Sequence, residues 1–429
     1  MFQTKIIFVL VLFALLGIKP NADAQQSADV LSINFQQAEK LFLDSNLQII
    51  SAYYNIQSQK ALVEQTRKWD NPVLNTDQNL YNNGKFFQHG ADGQGNPVGE
   101  YFVQVQQLIK TAGKRRHQID LAKTNVSIAE WQFKTVMRNL KLTLYTDFYT
   151  IAQLEGYKKL YTDNLKRLTL LQQAMERQLS AGNIAKKEYL RVQALAVSLR
   201  QDMADNEKAL ADAQAEIRNL LHLSPDVYVQ PICEETEKPV MPQQSIVAIY
   251  DSAFQHNTDY NIELNQVLSN KQNLALQRSL AVPDLTVGAE FDQNANYAPN
   301  YYGLAISLPL PVWDMNRGNI KAAKFQVKAE EATMKDVENK TKNEVKAAWL
   351  KLQQSVNLCA DANDNFYKEY KELYDNIVDS YNKRLISLIE FLDYYNDYQE
   401  IKKNRLQQIL NLRLAKANLN DVVGTTIVE

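Results

Sequence analysis

Residues that carry catalytic or metal chemistry are scarce in this sequence. It has two cysteines, Cys233 and Cys359, and four scattered histidines: His89, His117, His222 and His256. No histidine stands at metal-ligand spacing from a cysteine or a carboxylate. No glycine-rich phosphate loop and no nucleophile elbow occurs either. We therefore predict no enzyme, no cofactor and no metal site. The two cysteines are compatible with one disulfide or with two free thiols.

Two further absences restrict the class of protein. The net charge is -2, so no excess of basic residues indicates a nucleic-acid partner. No apolar run after the N-terminal segment reaches the roughly 18 residues that a membrane-spanning helix needs. A chain of this kind can enter a membrane only as a β-barrel.

Glycine and proline are few, 13 and 11 in 429 residues, and they are clustered. Residues 114–181 contain one glycine and no proline, while 183–224 and 319–423 contain neither. We predict long helices over 114–180 and 318–382 and shorter ones over 184–222 and 386–420. Apolar residues from Ile119 to Leu140 step by threes and fours, which is typical of a coiled-coil seam.

The first residues have the pattern of a signal peptide. Lys5 precedes an apolar run from Ile6 to Ile18, and Ala22-Asp23-Ala24 fits the small-residue cleavage rule. We predict a signal peptide over 1–24 and therefore export. No cysteine follows the cleavage site, so we predict no lipid attachment.

The chain contains a long internal repeat. Asn71-Pro72-Val73-Leu74 matches Val282-Pro283-Asp284-Leu285 at an offset of 211 residues, and Ile119 matches Ile320 at 201. Repeats of this length indicate a duplicated half-protein and not a solenoid. We predict a first repeat over 25–224, an irregular linker over 225–243, and a second repeat over 244–429.

Each repeat contains one predicted strand hairpin, 73–109 in the first and 284–310 in the second. In 285–292 apolar residues such as Val287 and Phe291 alternate with polar ones such as Glu290. Trp69 and Trp313 flank the hairpins, where an aromatic belt anchors a membrane interface. The pattern favours transmembrane β-strands. Four strands cannot close a barrel, so the chain must oligomerise or leave edges open.

The order of these parts resembles the TolC family of outer-membrane efflux channels. Three strings carry the resemblance: Asn71-Pro72 before the first strand, Leu308-Pro309-Leu310-Pro311 with Asn316-Arg317-Gly318-Asn319-Ile320 after the fourth, and Ser387-Leu388-Ile389-Glu390-Phe391-Leu392-Asp393 after the second long helix. The second string resembles the cation-efflux branch in particular. The resemblance spans nearly the whole chain after the signal peptide.

The resemblance implies a fold class that is mainly α with a small β part. Duplicated coiled-coil helical hairpins would join four strands that contribute to a trimeric twelve-stranded transmembrane barrel. It implies an outer-membrane channel that extends into the periplasm, with a periplasmic adaptor and an inner-membrane pump as partners. Arg384 stands where relatives often have glycine, so the sequence leaves open whether the second tip has the family's turn geometry.

The resemblance also assigns roles to single residues. Asp375 and Asp379 lie one helical turn apart, and Asp375 aligns with an acidic position that rings the pore constriction of relatives. Carboxylates from three chains around one axis would attract cations. Ordinary solvated acids are the alternative. The two helical turns are expected to contact the adaptor, through Leu179, Gly182, Asn183, Leu385 and Ser387.

Two other classes of protein share some of these features. A structural coiled-coil stalk would explain the long helices and the export, but not the two strand hairpins. An efflux adaptor also has a helical hairpin, but it carries glycine-rich β domains that this sequence lacks. The transported cargo remains open among metal cations, small toxic compounds and peptides.

Overall fold

The same order of elements occurs twice along the chain. The computed structural model describes residues 29–82, 84–96, 98–295, 298–361 and 364–428, so the predicted signal peptide lies outside the described residues. The first half contains β1 (Asp29–Ile33), α1 (Phe35–Ser45), α2 (Leu47–Thr66), β2 (Val73–Gln78), β3 (Tyr81–Asn82), β4 (Lys85–Phe86), β5 (Tyr101–Ile109), α3 (Lys114–Ser180) and α4 (Lys186–Leu221).

Strand β6 (Val227–Pro231) lies between the halves. The second half contains α5 (Ile246–His256), α6 (Thr258–Leu280), β7 (Leu285–Asp292), β8 (Tyr301–Ser307), α7 (Arg317–Asp361), α8 (Asp364–Asn382) and α9 (Leu388–Val423). Both halves thus have two helices, a strand hairpin, a long helical segment and a final helix. The small hairpin β3–β4 is an addition within the longer loop of the first half.

A buried asparagine occupies the same place in both halves. Asn46 caps α2 by accepting from the amides of Gln48 and Ile49, and Asn257 caps α6 by accepting from Tyr260. The amide group of each donates to the end of that half's last helix, to the carbonyl of Leu220 at 3.1 Å or of Val422 at 2.7 Å.

Because a capping asparagine has an extended backbone, it ends one helix and starts the next. In each half this residue sets the bend between the two short helices and ties it to the last one.

Four strands form one antiparallel sheet in the order β2-β5-β7-β8. The pairing of β5 with β7, from Phe102 opposite Asp292 to Ile109 opposite Leu285, joins the two halves. Within the described residues, β2 and β8 are the edges of this sheet.

The two faces of the sheet differ in polarity. One row of neighbours across the strands is Val105, Ala289 and Leu304, and the row beside it is Asn75, Gln104 and Glu290. The polar row is hydrogen-bonded: Asn75 donates to Gln104 at 3.2 Å, and Gln104 donates to Glu290 at 2.6 Å. The sheet has the alternation that the sequence predicts, with one apolar and one polar face.

The helices form an elongated antiparallel bundle. Helix α3 has 67 residues and spans about 100 Å at 1.5 Å per residue. It packs against α2, α4, α6 and α9, so it contacts both halves. Where the sequence predicts one helix over 318–382, the structure has α7 and α8, and residues 362–363 between them lie outside the described residues. Among the described residues, no helix is both long and apolar enough to cross a bilayer.

Three buried apolar clusters hold the bundle together. The first joins β1, α1, α3, α4 and β6, and the second joins α5, α7 and α9. The third joins α3 and α4 of the first half to α8 and α9 of the second, around Tyr374, Phe391 and Tyr395. The helical arms of the two halves therefore share one core.

The expectation of an irregular linker over 225–243 is wrong for its first part. Strand β6 pairs in parallel with β1, from Asp29 opposite Val227 to Ile33 opposite Pro231. The side chain of Gln214 on α4 satisfies both backbone groups of Val229, at 2.9 Å from its amide and 2.6 Å from its carbonyl. Val227, Tyr228 and Val229 are good strand formers that the four prolines of this segment obscure in the sequence.

The rest of the linker is fastened by a buried carboxylate. Glu237 contacts Arg413 at 3.1 Å and Lys416 at 2.5 Å, both on α9 and both nearly fully buried. Arg413 also donates to the carbonyls of Glu234 and Thr236. Its guanidinium lies 4.6 Å from the ring centroid of Tyr149 on α3. Burial alone would lower the pKa of Arg413, and the Glu237 carboxylate more than offsets this and raises it.

We call this arrangement the linker clamp, comprising Glu237, Arg413, Lys416 and Tyr149. It joins α3 of the first half, the linker and α9 of the second. Both cysteines are free thiols, Cys233 half-buried beside Arg413 and Cys359 buried. No disulfide therefore supports this region.

Removing the acid of the linker clamp should destabilise the protein. Glu237→Ala leaves two buried cations without a counter-charge, at an expected loss of about 3 kcal/mol in the free energy of unfolding. Urea unfolding followed by circular dichroism measures the loss. Glu235→Ala, which removes an exposed acid of the same segment, is the matched control and should change stability by under about 0.5 kcal/mol. Equal stability of the two variants would refute the assigned role of the clamp.

Candidate functional site

The two helical turns adopt the same backbone conformation. At the first tip, Gly182 has φ +72° and the amide of Asn183 donates to the carbonyl of Gln178 at 2.9 Å. At the second tip, Arg384 has φ +61° and the amide of Leu385 donates to the carbonyl of Ser380 at 2.9 Å. This is the left-handed C-terminal turn that glycine favours.

The second turn therefore has the same geometry as the first, although it carries arginine in place of glycine. The hydrogen bonds of the turn outweigh a left-handed penalty of about 1 to 2 kcal/mol for Arg384. A glycine at this position would carry no such penalty.

The two tips lie side by side and enclose a groove of about 580 Å³. Two of the five predicted tip residues, Asn183 and Ser387, line it. Ser387 also caps α9 by accepting from the amide of Glu390. Leu385 is exposed beside the groove, whereas Leu179 is half-buried. Leu179, Gly182 and Leu385 are not among the residues that line the groove.

The groove also contains residues that the sequence analysis missed. Its charged lining consists of Lys187, Glu188, Arg191 and Arg384, and its apolar lining includes Ile184, Ile386 and Leu388. Three cations and one acid give it a net positive charge. The helix α4 residues could have been found from the sequence, because they follow the first turn at the three- to four-residue spacing of one helix face.

The two aspartates of the predicted pore constriction have different surroundings in the structure. Asp375 accepts from the guanidinium of Arg167 on α3 at 2.8 Å, while Asp379, one turn closer to the tip, is exposed. Burial alone would lower the pKa of Arg167, and the bond to Asp375 raises it above its usual value. Arg167 is missed by sequence reasoning, because it lies 208 residues away and no repeat relation connects it to Asp375.

Stacked aromatic rings support the helix that carries these acids. The ring of Tyr374 is parallel to that of Tyr398 at 4.1 Å, and Tyr381 stacks on Phe391 at 4.8 Å. Burial raises the pKa of Tyr395 in the same cluster to about 12, so its hydroxyl stays protonated. The backbone around Asp375 is therefore held against α9 by a rigid apolar contact.

The two tryptophans lie at the opposite end of the molecule, beside the sheet. Trp69 precedes β2 and is 61% exposed, and Trp313 follows β8 and is 96% exposed. They flank the two edge strands. The guanidinium of Arg115 lies 4.5 Å from the ring centroid of Trp69.

Introducing glycine at the second turn and removing it from the first should change the stability of the two turns in opposite directions. Arg384→Gly removes the left-handed penalty and should stabilise the second turn by about 1 kcal/mol, and Gly182→Ala should destabilise the first by a similar amount. No atom within 4 Å blocks an added Cβ at Gly182, so its penalty is that of the backbone alone. Hydrogen exchange at the amides of Leu385 and Asn183 reports each turn locally.

Lys383→Gly is the control for this pair. It introduces glycine one position before the left-handed residue, where glycine brings no advantage, and it should speed exchange at Leu385. Slower exchange in Lys383→Gly than in Arg384→Gly would contradict the interpretation.

Comparison with known proteins gives the family. The profile of the outer membrane efflux protein family matches residues 40–222 and 251–423, one segment in each half. The cobalt-zinc-cadmium resistance protein CzcC of Cupriavidus metallidurans is 22% identical over 225 residues. This match covers 52% of each chain, so the chain spans about half the length of this curated relative.

Solved structures show the same fold. The chain is similar to the channel protein CusC with a TM-score of 0.73, at 16% identity over 91% of this chain and 92% of that one. It is similar to the outer membrane protein VceC of Vibrio cholerae with a TM-score of 0.71, at 12% identity over 92% and 97%. The predicted fold class is confirmed. Because the family profile matches both repeats and most of the sequence, the chain belongs to the outer membrane efflux protein family.

Proposed function

We propose that this protein is the outer-membrane channel of a tripartite efflux system, which carries substrates from the periplasm to the outside. The best support is that each repeat combines strands of the sheet with a helical arm. Each half joins two strands of an alternating sheet to an antiparallel helical arm, and the pairing of β5 with β7 makes both halves parts of one wall. A sheet with one apolar face suits lipid, and a helical extension suits the periplasm.

The open edges of the sheet support a trimer. In a membrane, the unpaired backbone groups of β2 and β8 would have no water to bind, so they require another strand. Three copies of four strands make a closed barrel of twelve. Each copy would contribute β8 and the residues that follow it to the β2 edge of the next copy.

The internal repeat supplies the register of this contact. Thr76 in the first repeat corresponds to Val287 in the second, at the offset of 211. Thr76 lies opposite Val103, and Val287 lies opposite Ile306, so Val103 corresponds to Ile306. Val103 pairs with Phe291 across the junction of the halves, and the counterpart of Phe291 is Leu80. By this symmetry, Ile306 of one copy would pair with Leu80 of the next, two residues beyond the end of β2. The residues that follow β8, 308–312, would then lie opposite residues 74–78 of β2.

The tips are the proposed contact of a periplasmic adaptor, which in turn would connect the channel to an inner-membrane pump. The groove between the tips combines an apolar floor with a net positive charge, which suits an amphipathic helical end with acidic residues. Leu179, Gly182, Asn183, Leu385 and Ser387 hold or border this surface. Three copies would present three grooves of this kind.

Asp375 and Asp379 are the proposed constriction of the pore. Because Arg167 neutralises Asp375 within the chain, the uncompensated charge at the constriction would come mainly from Asp379. The partial similarity to CzcC favours metal cations as the cargo. The export signal and the family favour the outer membrane as the location, without lipid attachment.

Disulfide trapping tests the proposed trimer and its register. With Cys233 and Cys359 changed to serine, the pair Leu80→Cys and Ile306→Cys should crosslink neighbouring copies in outer membranes and give a trimer on denaturing gels. The control pair, Leu80→Cys with Leu304→Cys, is displaced by two residues on the same face and should crosslink at least about fivefold less. Crosslinking of the control alone would reject the register, and crosslinking of neither pair would reject the contact.

Neutralising the two aspartates separately tests the constriction. Asp379→Asn should raise the half-blocking concentration of a trivalent cation roughly tenfold in single-channel recordings, and Asp375→Asn should change it less, because Arg167 already offsets that charge. Glu369→Gln, which removes an exposed acid on the same helix, is the control and should not alter block. Unchanged block in Asp379→Asn would remove it from the constriction.

A further inference from the structure

Basic residues are concentrated at the end of the sheet where the helices begin. We call them the basic collar, and it consists of Arg67, Lys68, Lys110, Lys114, Arg115, Arg116, Arg278 and Arg317. Segments 67–71, 110–117, 278–284 and 313–317 contain only three acids: Asp70, Asp284 and Asp314. The collar therefore has a large excess of positive charge over a short height of the molecule.

Two collar lysines are internally neutralised. Lys110 lies 3.2 Å from Asp70, and the buried Lys114 lies 2.6 Å from Asp284. Lys114 and Thr111 together hold Asp284, and although burial opposes ionisation, these contacts keep the pKa of Asp284 below its usual value. These two pairs join the sheet to the helices and have a structural role.

Five of the six remaining collar cations face solvent, while Arg115 is half-buried against Trp69 and donates to the carbonyl of Arg67. Arg67, Lys68, Arg278 and Arg317 are exposed, and the side chain of Arg116 is 86% exposed. The nearest acid to Arg116 is Asp120 at 3.8 Å, a long and exposed contact that contributes little. Asp314 accepts from the amide of Asn316 at 2.8 Å. Several cations of the collar are thus available to an external anion.

The start of α3 adds to this positive field. Its N-cap is Gly113, which has no side chain to accept from the free amides, and its first turn contains no acid. Lys114, Arg115 and Arg116 instead place three cations at the positive end of the helix dipole, which is unfavourable unless an anion lies nearby. The opposite end of the sheet has the opposite sign, with Asp77, Glu100 and Asp292 close together.

A cavity of about 910 Å³ opens beside the collar, and two collar residues, Lys68 and Lys110, line it. Trp69, Asp70 and polar residues of α2 and α3, such as Gln65 and Gln118, also line it, and Asp70 is the acid that pairs with Lys110. Its size suits a lipid headgroup and not only a single ion. Exposed Trp69 and Trp313 flank the two edge strands at this end of the sheet, as interface anchors do.

We propose that the basic collar binds the anionic headgroups of phospholipids in the inner leaflet of the outer membrane. This inference rests on the proposed insertion of the sheet into that membrane. The nine residues of β5 span about 30 Å, which places the collar at headgroup level when the apolar face is in hydrocarbon. The free guanidinium and ammonium groups would bind the phosphodiester of a phosphatidylglycerol-type lipid. The exposed side chains of Leu308 and Leu310, which follow β8, would contact its fatty chains.

Lipid selectivity of the intact trimer tests the proposal. The full chain is reconstituted in phosphatidylcholine vesicles containing spin-labelled phosphatidylglycerol or spin-labelled phosphatidylcholine, and the motionally restricted fraction of each lipid is measured. We expect about a fivefold preference for phosphatidylglycerol. The variant Arg67→Gln with Lys68→Gln and Arg116→Gln should reduce it to less than twofold.

A matched variant separates the collar from net charge. Lys335→Gln with Lys346→Gln and Lys351→Gln removes three exposed lysines of α7 far from the sheet and should keep the preference. An equal loss in both variants, or no loss in the collar variant, overturns the proposal. Competition by inorganic phosphate as strong as that by phosphatidylglycerol vesicles would also overturn it, since a free ion would then be the ligand.

Failure of this inference is distinguishable from failure of the proposed function. A chain that floats with vesicles as a trimer but shows no lipid preference rejects only the lipid site. A collar variant that loses the trimer while its monomers keep the preference assigns the collar to a contact between copies and rejects the lipid site as well. A chain that does not insert into vesicles at all contradicts both.

Discussion

The unpaired edges of the four-stranded sheet are the constraint on which the rest of the proposed assembly depends. Strands β2 and β8 present backbone donors and acceptors along their outer sides, and the sheet between them has one mainly apolar face. Placed in lipid, such edges cannot be left to water. Duplication provides a solution, because the junction of β5 with β7 already shows how the last strand of one repeat pairs with the first strand of another. Repeats from other copies of the chain would extend the sheet in the same way.

The two halves differ at the linker and at the tips. The linker clamp occurs once, because there is only one linker, and it fastens that linker to α9 and α3 through Arg413 and Tyr149. The tips share one backbone turn but differ in side chain, with Gly182 in one and Arg384 in the other. Arg384 brings a positive charge to a groove that a second glycine would leave less basic. Divergence thus changes the chemistry of the surface while the repeated backbone is retained.

Much of the fold follows from sequence patterns that depend on local physics. Helix α3 occupies the residues expected from the single glycine and the lack of proline between Lys114 and Ser180, and β7 follows from strict alternation. Features that depend on distant partners were not predictable. Strand β6 needs β1, which is about 200 residues away in the chain, and Arg167 meets Asp375 only because α3 and α8 are packed together. The left-handed turn at Arg384 could not be predicted, because residue type alone favours glycine there and the stabilising bond from Leu385 to Ser380 is not visible in the sequence.

The charged residues have an ordered arrangement along the molecule, with acids at the far end of the sheet, a basic collar where the sheet meets the helices and a basic groove at the tips. The proposed channel requires that three copies close one barrel. Native mass spectrometry of the protein extracted from outer membranes in mild detergent measures this number of copies. We expect a single dominant species containing three chains. A stable monomer or dimer as the dominant membrane-extracted species would contradict it.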